Sequence, residues 1–249
     1  MATESPDAPQ PAWVLHARPY RETSLLVEAL TLHGGRLGFV ARGVRGPRGH
    51  ALRAALQPFQ PLTLSLRGRG ELATLAAAEV HDAALRLSGD SLLAAFYVNE
   101  LVLRLLPRQL PSGEVFWRYA LCLNALAEGS ELAWTLRCFE RDLLVLLGHA
   151  PSFEVDGIAG AAVDAQGWYR LEPERGLVPA PPGSAAAIPG RAFVALRGDR
   201  PPDAAVLREV RGVMRQLIAF QLGGRPLRTR RVLAELGAVR SAGPSPSEP

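Results

Sequence analysis

The 249-residue chain contains no lysine: all 28 of its basic residues are arginine. That absence closes whole classes of chemistry. A phosphate loop of the GxxxxGK[ST] type cannot be built, no Schiff base can form, and no lysine can serve as general base. Cysteine is nearly missing as well. Cys122 and Cys138 are the whole supply, and no CxxC pair exists, so a four-cysteine zinc site is out of reach and neither metal nor another cofactor is expected. Both cysteines fall in helical segments and read as small buried hydrophobes. The histidines His16, His33, His50, His81 and His149 stand singly, without HxxxH or HExxH spacing, and read as surface or loop residues. No apolar run approaches the roughly 18 residues that cross a bilayer. The opening MATESPDAPQPA lacks a basic stretch followed by an apolar one. A cytoplasmic protein without a membrane partner is therefore expected.

Acidic residues are missing from one long stretch. Residues 29–70 carry Arg36, Arg42, Arg45, Arg48, Arg53, Arg67 and Arg69 with neither Asp nor Glu, a local charge of +7. Residues 71–203 hold 11 Arg against 17 acids, or −6, and residues 204–240 hold 8 Arg against 2 acids, or +6. Two basic regions flanking an acidic middle suit a binder of polyanions. Within the first region, FVARGVRGPRG (39–49) sets Arg42, Arg45 and Arg48 three apart among glycines. Such a segment reads as a flexible basic loop rather than core.

The apolar pattern divides the chain in two. AWVLHA (12–17), SLLVEALT (24–31), RLGFVA (36–41), PLTLSL (61–66) and ELATLAAAEV (71–80) are short segments, several alternating with period two, separated by turn signals. Five strands with a long connection after the third predict a small Greek-key barrel of the OB type, a fold used to hold single-stranded nucleic acid. Beyond residue 88 the period becomes helical. SGDSLLAAFYVNELVLRLLP, with Ser88 and Asp90 as capping candidates, is followed by PSGEVFWRYALCLNALAEG, opened by Ser112, and by SELAWTLRCFERDLLVLLGHAPSF. A hairpin is expected around Trp168 and Tyr169, then a long helix in PPDAAVLREVRGVMRQLIAFQLGG and a short one in LRTRRVLAELG. The fold class is α+β: residues 11–82 a barrel, residues 83–240 mostly helical, with 1–10 and 241–249 outside the fold. Phe96, Tyr97, Phe116, Trp117 and Trp134 sit at helical spacing and read as core. GRGE lacks the third glycine of a dinucleotide fingerprint. His81 with Asp82 has no companion metal-ligand pair, and Ser24, His33 and Asp82 lack the GxSxG elbow of a hydrolase.

Taken in order, VLHARPYRETSLLVEALTLHGGRLGFVARGVRG, LQPFQPLTLSLRGRGELATL, FYVNELVLRLLP, LRCFERDLLVLLG and LGGRPLRTRRVL resemble the RecO family of bacterial recombination mediators over roughly residues 11–237. The resemblance implies an N-terminal OB fold, a mostly helical C-terminal domain, and no catalytic turnover. It implies binding to single- and double-stranded DNA in the cytoplasm, at the nucleoid. It also implies annealing of complementary strands, and cooperation with RecR to load RecA onto DNA coated by the single-strand binding protein SSB. One departure is plain: many members carry a four-cysteine zinc module, which two cysteines cannot supply, so the resemblance is to a zinc-free branch.

Arginine forks suit phosphate and stack on unpaired bases. Arg36, Arg42, Arg45, Arg48, Arg53, Arg67 and Arg69 on the barrel are therefore expected to meet DNA, joined by Arg225, Arg228, Arg230 and Arg231 near the C-terminus. An RNA-binding OB module would present the same basic barrel and is the alternative reading. The family's docking of the acidic, aromatic-ended SSB tail on the helical domain implies an apolar pocket rimmed by arginine. Phe116, Leu123 and Leu126 share roughly one helix face and Arg137 and Arg141 another, so these five are the expected tail site.

Overall fold

A computed structural model describes residues 8–68, 72–172 and 174–229. Five strands, β1 (Gln10–Tyr20), β2 (Ser24–Thr31), β3 (Gly35–Ala41), β4 (Pro61–Arg67) and β5 (Ala73–Val80), close into a barrel in the order β1-β2-β3-β5-β4. The closing pair β3–β5 is parallel and brief, matching Phe39 with Ala73 and Val40 with Thr74. This is the expected OB fold. A short helix, α1 (His50–Ala55), occupies the long connection after the third strand. β1 starts at Gln10, inside the stretch expected to lie outside the fold. The Gln10 side chain is buried and accepts the His33 and Gly34 N–H groups at 3.1 Å.

β1 reads as a continuous apolar run because both its faces are covered. Ala12 and Val14 point into the barrel with Val27, Ala29, Phe39, Leu56 and Leu64. Trp13 and Leu15 turn outward into a second core with the helices, as the period of two requires. That second core is built by α2 (Gly89–Leu105), α3 (Gly113–Ala127) and α4 (Leu132–Leu146). The three-stranded sheet of β6 (Trp168–Glu172), β7 (Gly176–Pro179) and β8 (Ile188–Pro189), with α5 (Gly190–Ala195) and α6 (Ala204–Gln221), completes it. β6 and β7 form the hairpin expected around Trp168. Ser91 Oγ, rather than the expected Asp90, closes the start of α2, accepting from Ser88 N–H and donating to Ser88 C=O. Ser112 makes no side-chain cap bond, whereas Asp203 caps α6 by accepting from the N–H groups of Ala205 and Val206.

Polar bonds stitch barrel to helices. Asn99 of α2 donates to Leu15 C=O at 2.8 Å and accepts from Tyr119 O–H at 2.6 Å, so one buried amide joins β1, α2 and α3. Gly35, with φ +65°, lies against the segment after α2: a Cβ there would stand 1.9 Å from Leu110 C=O. Of the aromatics expected in the core, Tyr97, Phe116 and Trp134 are buried, but Phe96 and Trp117 are exposed. The last expected helix runs beyond residue 229, and the C-terminal stretch 241–249 lies wholly beyond it, both outside the described residues.

Candidate nucleic-acid interface

The basic loop of residues 42–49 is not loose. Val44 is buried in the barrel core, Arg45 N–H donates to Thr23 C=O at 2.8 Å, and Gly46 and Gly49 N–H groups close successive turns at 3.0 Å. Gly49 sits so near the preceding turn that a Cβ would approach Val44 C=O to 2.2 Å. The glycines therefore permit a tight, anchored loop where the sequence suggested a flexible one. Anchoring sends the arginines outward. Arg42, Arg45 and Arg48, Arg53 on α1 and Arg67 at the end of β4 are all exposed. Among the described residues none of the five is ion-paired with a carboxylate. Exposed charge without a carboxylate partner can exchange its counterions for phosphates. Arg18 and Arg21 are exposed at the β1–β2 turn, and Arg45 reaches across to Arg21 C=O at 3.3 Å. Sequence reasoning left them out because they precede the acid-free stretch. Arg69 lies outside the described residues.

Arg36 is a correction. Its guanidinium is half-buried, donates to Leu103 C=O at the end of α2 and stands 4.0 Å from Glu28, which Arg108 also pairs with. Gln109 N–H returns to Arg36 C=O at 2.9 Å. Burial lowers the Arg36 pKa, partly offset by Glu28, and the group acts as a rivet between barrel and helices.

At the C-terminal cluster, Arg225 and Arg228 are exposed, while Arg230 and Arg231 lie outside the described residues. The segment is held by Glu100, which accepts Arg228 N–H, Thr229 N–H and Thr229 O–H at 2.8–2.9 Å. Burial opposes the Glu100 charge, but those hydrogen bonds outweigh it and hold its carboxyl below the usual range. A further basic face, legible from spacing alone, runs along α6: Arg208, Arg211 and Arg215 are all exposed, opposite buried Val210, Val213, Met214 and Leu217.

The expected tail site does not assemble as a surface. Phe116, Leu123 and Leu126 are core residues, 3%, 0% and 3% exposed. Arg137 is buried and ion-paired to Glu140, which also accepts Tyr97 O–H at 2.5 Å. Arg141 is clamped by Asp142 and Asp199 and donates to Leu196 and Gly198 carbonyls. Apolar side chains at i, i+3 and i+4 mark the face a helix buries, so the periodicity that selected those residues selected core. The exposed residues of α3 include the apolar Trp117 and Leu121 and, beside them, Arg118, which pairs with Asp142 at 3.4 Å.

No group of three or more His, Cys, Asp or Glu among the described residues is placed to hold a metal. Cys122 is buried on α3 and Cys138 half-buried on α4. Burial pushes the Cys138 thiol up to about 11 and the Cys122 thiol higher still. Charged side chains order the loops between α4 and β6. Asp156 accepts N–H groups from Ile158, Ala159 and Ala161 at 2.7–3.0 Å, and Arg197 donates to Phe153 and Val163 carbonyls at 2.9 and 3.1 Å.

Residues 7–84 match the family described as Recombination protein O N terminal, and residues 86–231 match Recombination protein O C terminal. The chain is 47% identical over 233 residues to the DNA repair protein RecO of Stenotrophomonas maltophilia (strain R551-3), covering 92% of this chain and 97% of that relative. It is 46% identical over 233 residues to the protein of the same name from Xanthomonas euvesicatoria pv. vesicatoria (strain 85-10), with the same coverage. To that from Xanthomonas campestris pv. campestris (strain B100) it is 45% identical over 229 residues, 90% of this chain and 95% of the relative.

Proposed function

The chain belongs to the RecO family of DNA repair proteins, and from that premise we propose that it is a recombination mediator that binds single- and double-stranded DNA and anneals complementary strands. With RecR it helps load RecA onto SSB-coated single strands, in the cytoplasm and at the nucleoid. The observation that supports this reading is that Arg42, Arg45, Arg48, Arg53 and Arg67 of the barrel are exposed and, among the described residues, none is ion-paired with a carboxylate. Guanidinium forks on an anchored loop meet successive phosphates without the entropy cost of ordering the loop on binding. Arg69, Arg225, Arg228, Arg230 and Arg231 extend the basic surface.

The contact with the SSB tail falls on the helical part. An acidic peptide ending in an aromatic residue needs exposed apolar area beside a cation. Trp117 and Leu121 on α3 supply the apolar area, and the exposed Arg118 beside them can exchange its 3.4 Å pairing with Asp142 for the peptide's carboxylate, whereas Phe116, Leu123, Leu126 and Arg137 are buried. Annealing of complementary oligonucleotides coated with SSB, measured with and without RecR, tests the function. Acceleration of annealing supports it; no acceleration, or a preference for single-stranded RNA over DNA in competition, refutes it.

A further inference from the structure

The end of the barrel beside the basic loop holds a recess of about 460 Å³ where the β1–β2 turn, the end of β3 and the start of β5 meet. Its volume falls in the range of sites that enclose small molecules, about 300–1,000 Å³. Val40 and Leu72 give apolar walls, Thr74 a hydroxyl, and Arg21 and Arg42 guanidinium groups. Thr23, Ser24 and Ala73 also line it, as does Tyr20, with the Arg21 guanidinium 5.2 Å from its ring centre. Leu72 is 46% exposed.

The recess is held open by its frame. β3 and β5 pair only at Phe39 with Ala73 and Val40 with Thr74, which leaves space on one side of the barrel's closure. Arg21 sits at φ +53°, a left-handed conformation that a non-glycine residue adopts only when its surroundings hold it there. The basic loop supplies that hold, through Arg45 N–H to Thr23 C=O and the Arg45 guanidinium to Arg21 C=O. The result is an aromatic ring with a cation over it, apolar walls at Val40 and Leu72, and the hydroxyl-bearing Thr23, Ser24 and Thr74 within reach of a base edge, in continuity with the arginines proposed to take phosphates. A bare anion has no use for apolar walls and a ring; a flat heterocycle with a phosphate on either side uses every one of these groups.

From this arrangement we infer that the recess is a base pocket: it takes one unstacked base of a bound single strand against Tyr20, while Arg21 and Arg42 engage the flanking phosphates. The inference rests on the DNA-binding reading above and adds to it a preference for strands that carry bases over backbone alone. One base held out of the stack at a fixed point presents its neighbours for pairing.

The test uses the full chain and two labelled single strands of equal length, oligo-dT and an abasic strand of the same charge, followed by fluorescence anisotropy across a salt series. Tyr20→Ala should weaken binding of oligo-dT by roughly tenfold and leave the abasic strand and the salt slope unchanged. Thr74→Trp, which fills the recess from the opposite wall, should give the same pattern and decides the matter if Tyr20→Ala fails to fold. Equal losses on both strands, or no loss on either, would overturn the pocket while leaving the DNA-binding reading intact. Failure of the unaltered protein to bind either strand would overturn both.

Discussion

Replacing Arg42, Arg45 and Arg48 together by alanine tests the interface most directly, because all three leave one anchored loop and none is ion-paired among the described residues. Each phosphate neutralised on a single strand contributes about 0.7 to the slope of log affinity against log salt, so three contacts contribute about 2.1. Between 50 and 200 mM salt that amounts to about an 18-fold loss of affinity in the unaltered protein that the triple variant escapes. The variant should therefore bind more weakly at low salt and respond less steeply to added salt. Oligonucleotide binding by anisotropy across the salt series reads both quantities. A slope unchanged within error, at whatever affinity, would mean that these arginines are merely solvated. Arg36→Ala is the matched control from the same acid-free stretch. It removes a charged donor to Leu103 C=O, so it should cost about 1.5–3 kcal/mol of stability. For a chain of this size that lowers the melting temperature by about 3–12 °C, with the salt slope of the folded protein unaltered.

Cys122→Ala with Cys138→Ala should bind DNA normally, and chelators should leave the melting temperature unmoved. Because burial pushes the Cys138 thiol up to about 11, little of it is ionised at pH 8, so alkylation of the folded protein should be slow; rapid labelling by mass spectrometry would refute its half-buried placement. Arg137→Ala should destabilise by about 3–5 kcal/mol, since Glu140 is left buried without its guanidinium, while binding of a labelled SSB-tail peptide to the folded fraction persists; Trp117→Ala should do the reverse, and loss of peptide binding only in the Arg137 variant would restore that arginine to the site. The Glu100 carboxyl is held below its ordinary value of 4.5, so its contribution to stability is complete above that pH and fades as pH falls through the lower folded value; Glu100→Gln should flatten this acid limb of the melting curve, and an unchanged limb would refute the clasp on Arg228 and Thr229.

The barrel was legible in the chain because its strands obey local rules. PLTLSL alternates, the β2–β3 turn carries glycine, and each strand appears within two residues of its expected start. β1 was readable despite AWVL being apolar throughout, since both its faces are covered. The helix α1 was missed because HALRAA buries no residue and so leaves no apolar period. The same logic misled at the proposed tail site. A face that repeats every three to four residues is the face a helix hides, and Phe116, Leu123 and Leu126 are hidden. Trp117 and Leu121, which break the pattern by being apolar on the outer side, mark the apolar surface that α3 leaves exposed.

Arginine poses the harder case, because the meaning of its charge depends on a partner that can lie anywhere in the chain. Arg36 and Arg42 stand six residues apart in the same acid-free stretch, and composition treats them alike. What separates them is Glu28, one residue before that stretch begins, opposite Gly38 on the neighbouring strand and within 4.0 Å of Arg36, together with the Leu103 carbonyl 67 residues away. Arg36 was therefore neutralised by chain elements that only the closed barrel and its docked helix bring together. Arg42 lies past the end of β3, where the chain leaves the sheet and no acidic side chain is ion-paired with it among the described residues. A long window of net charge can locate a basic surface, but each residue in it becomes a phosphate contact only if the fold leaves it exposed and without a carboxylate partner. By that criterion Arg42, Arg45, Arg48, Arg53 and Arg67 remain open to DNA and Arg36 does not, a division the triple variant and its control measure directly.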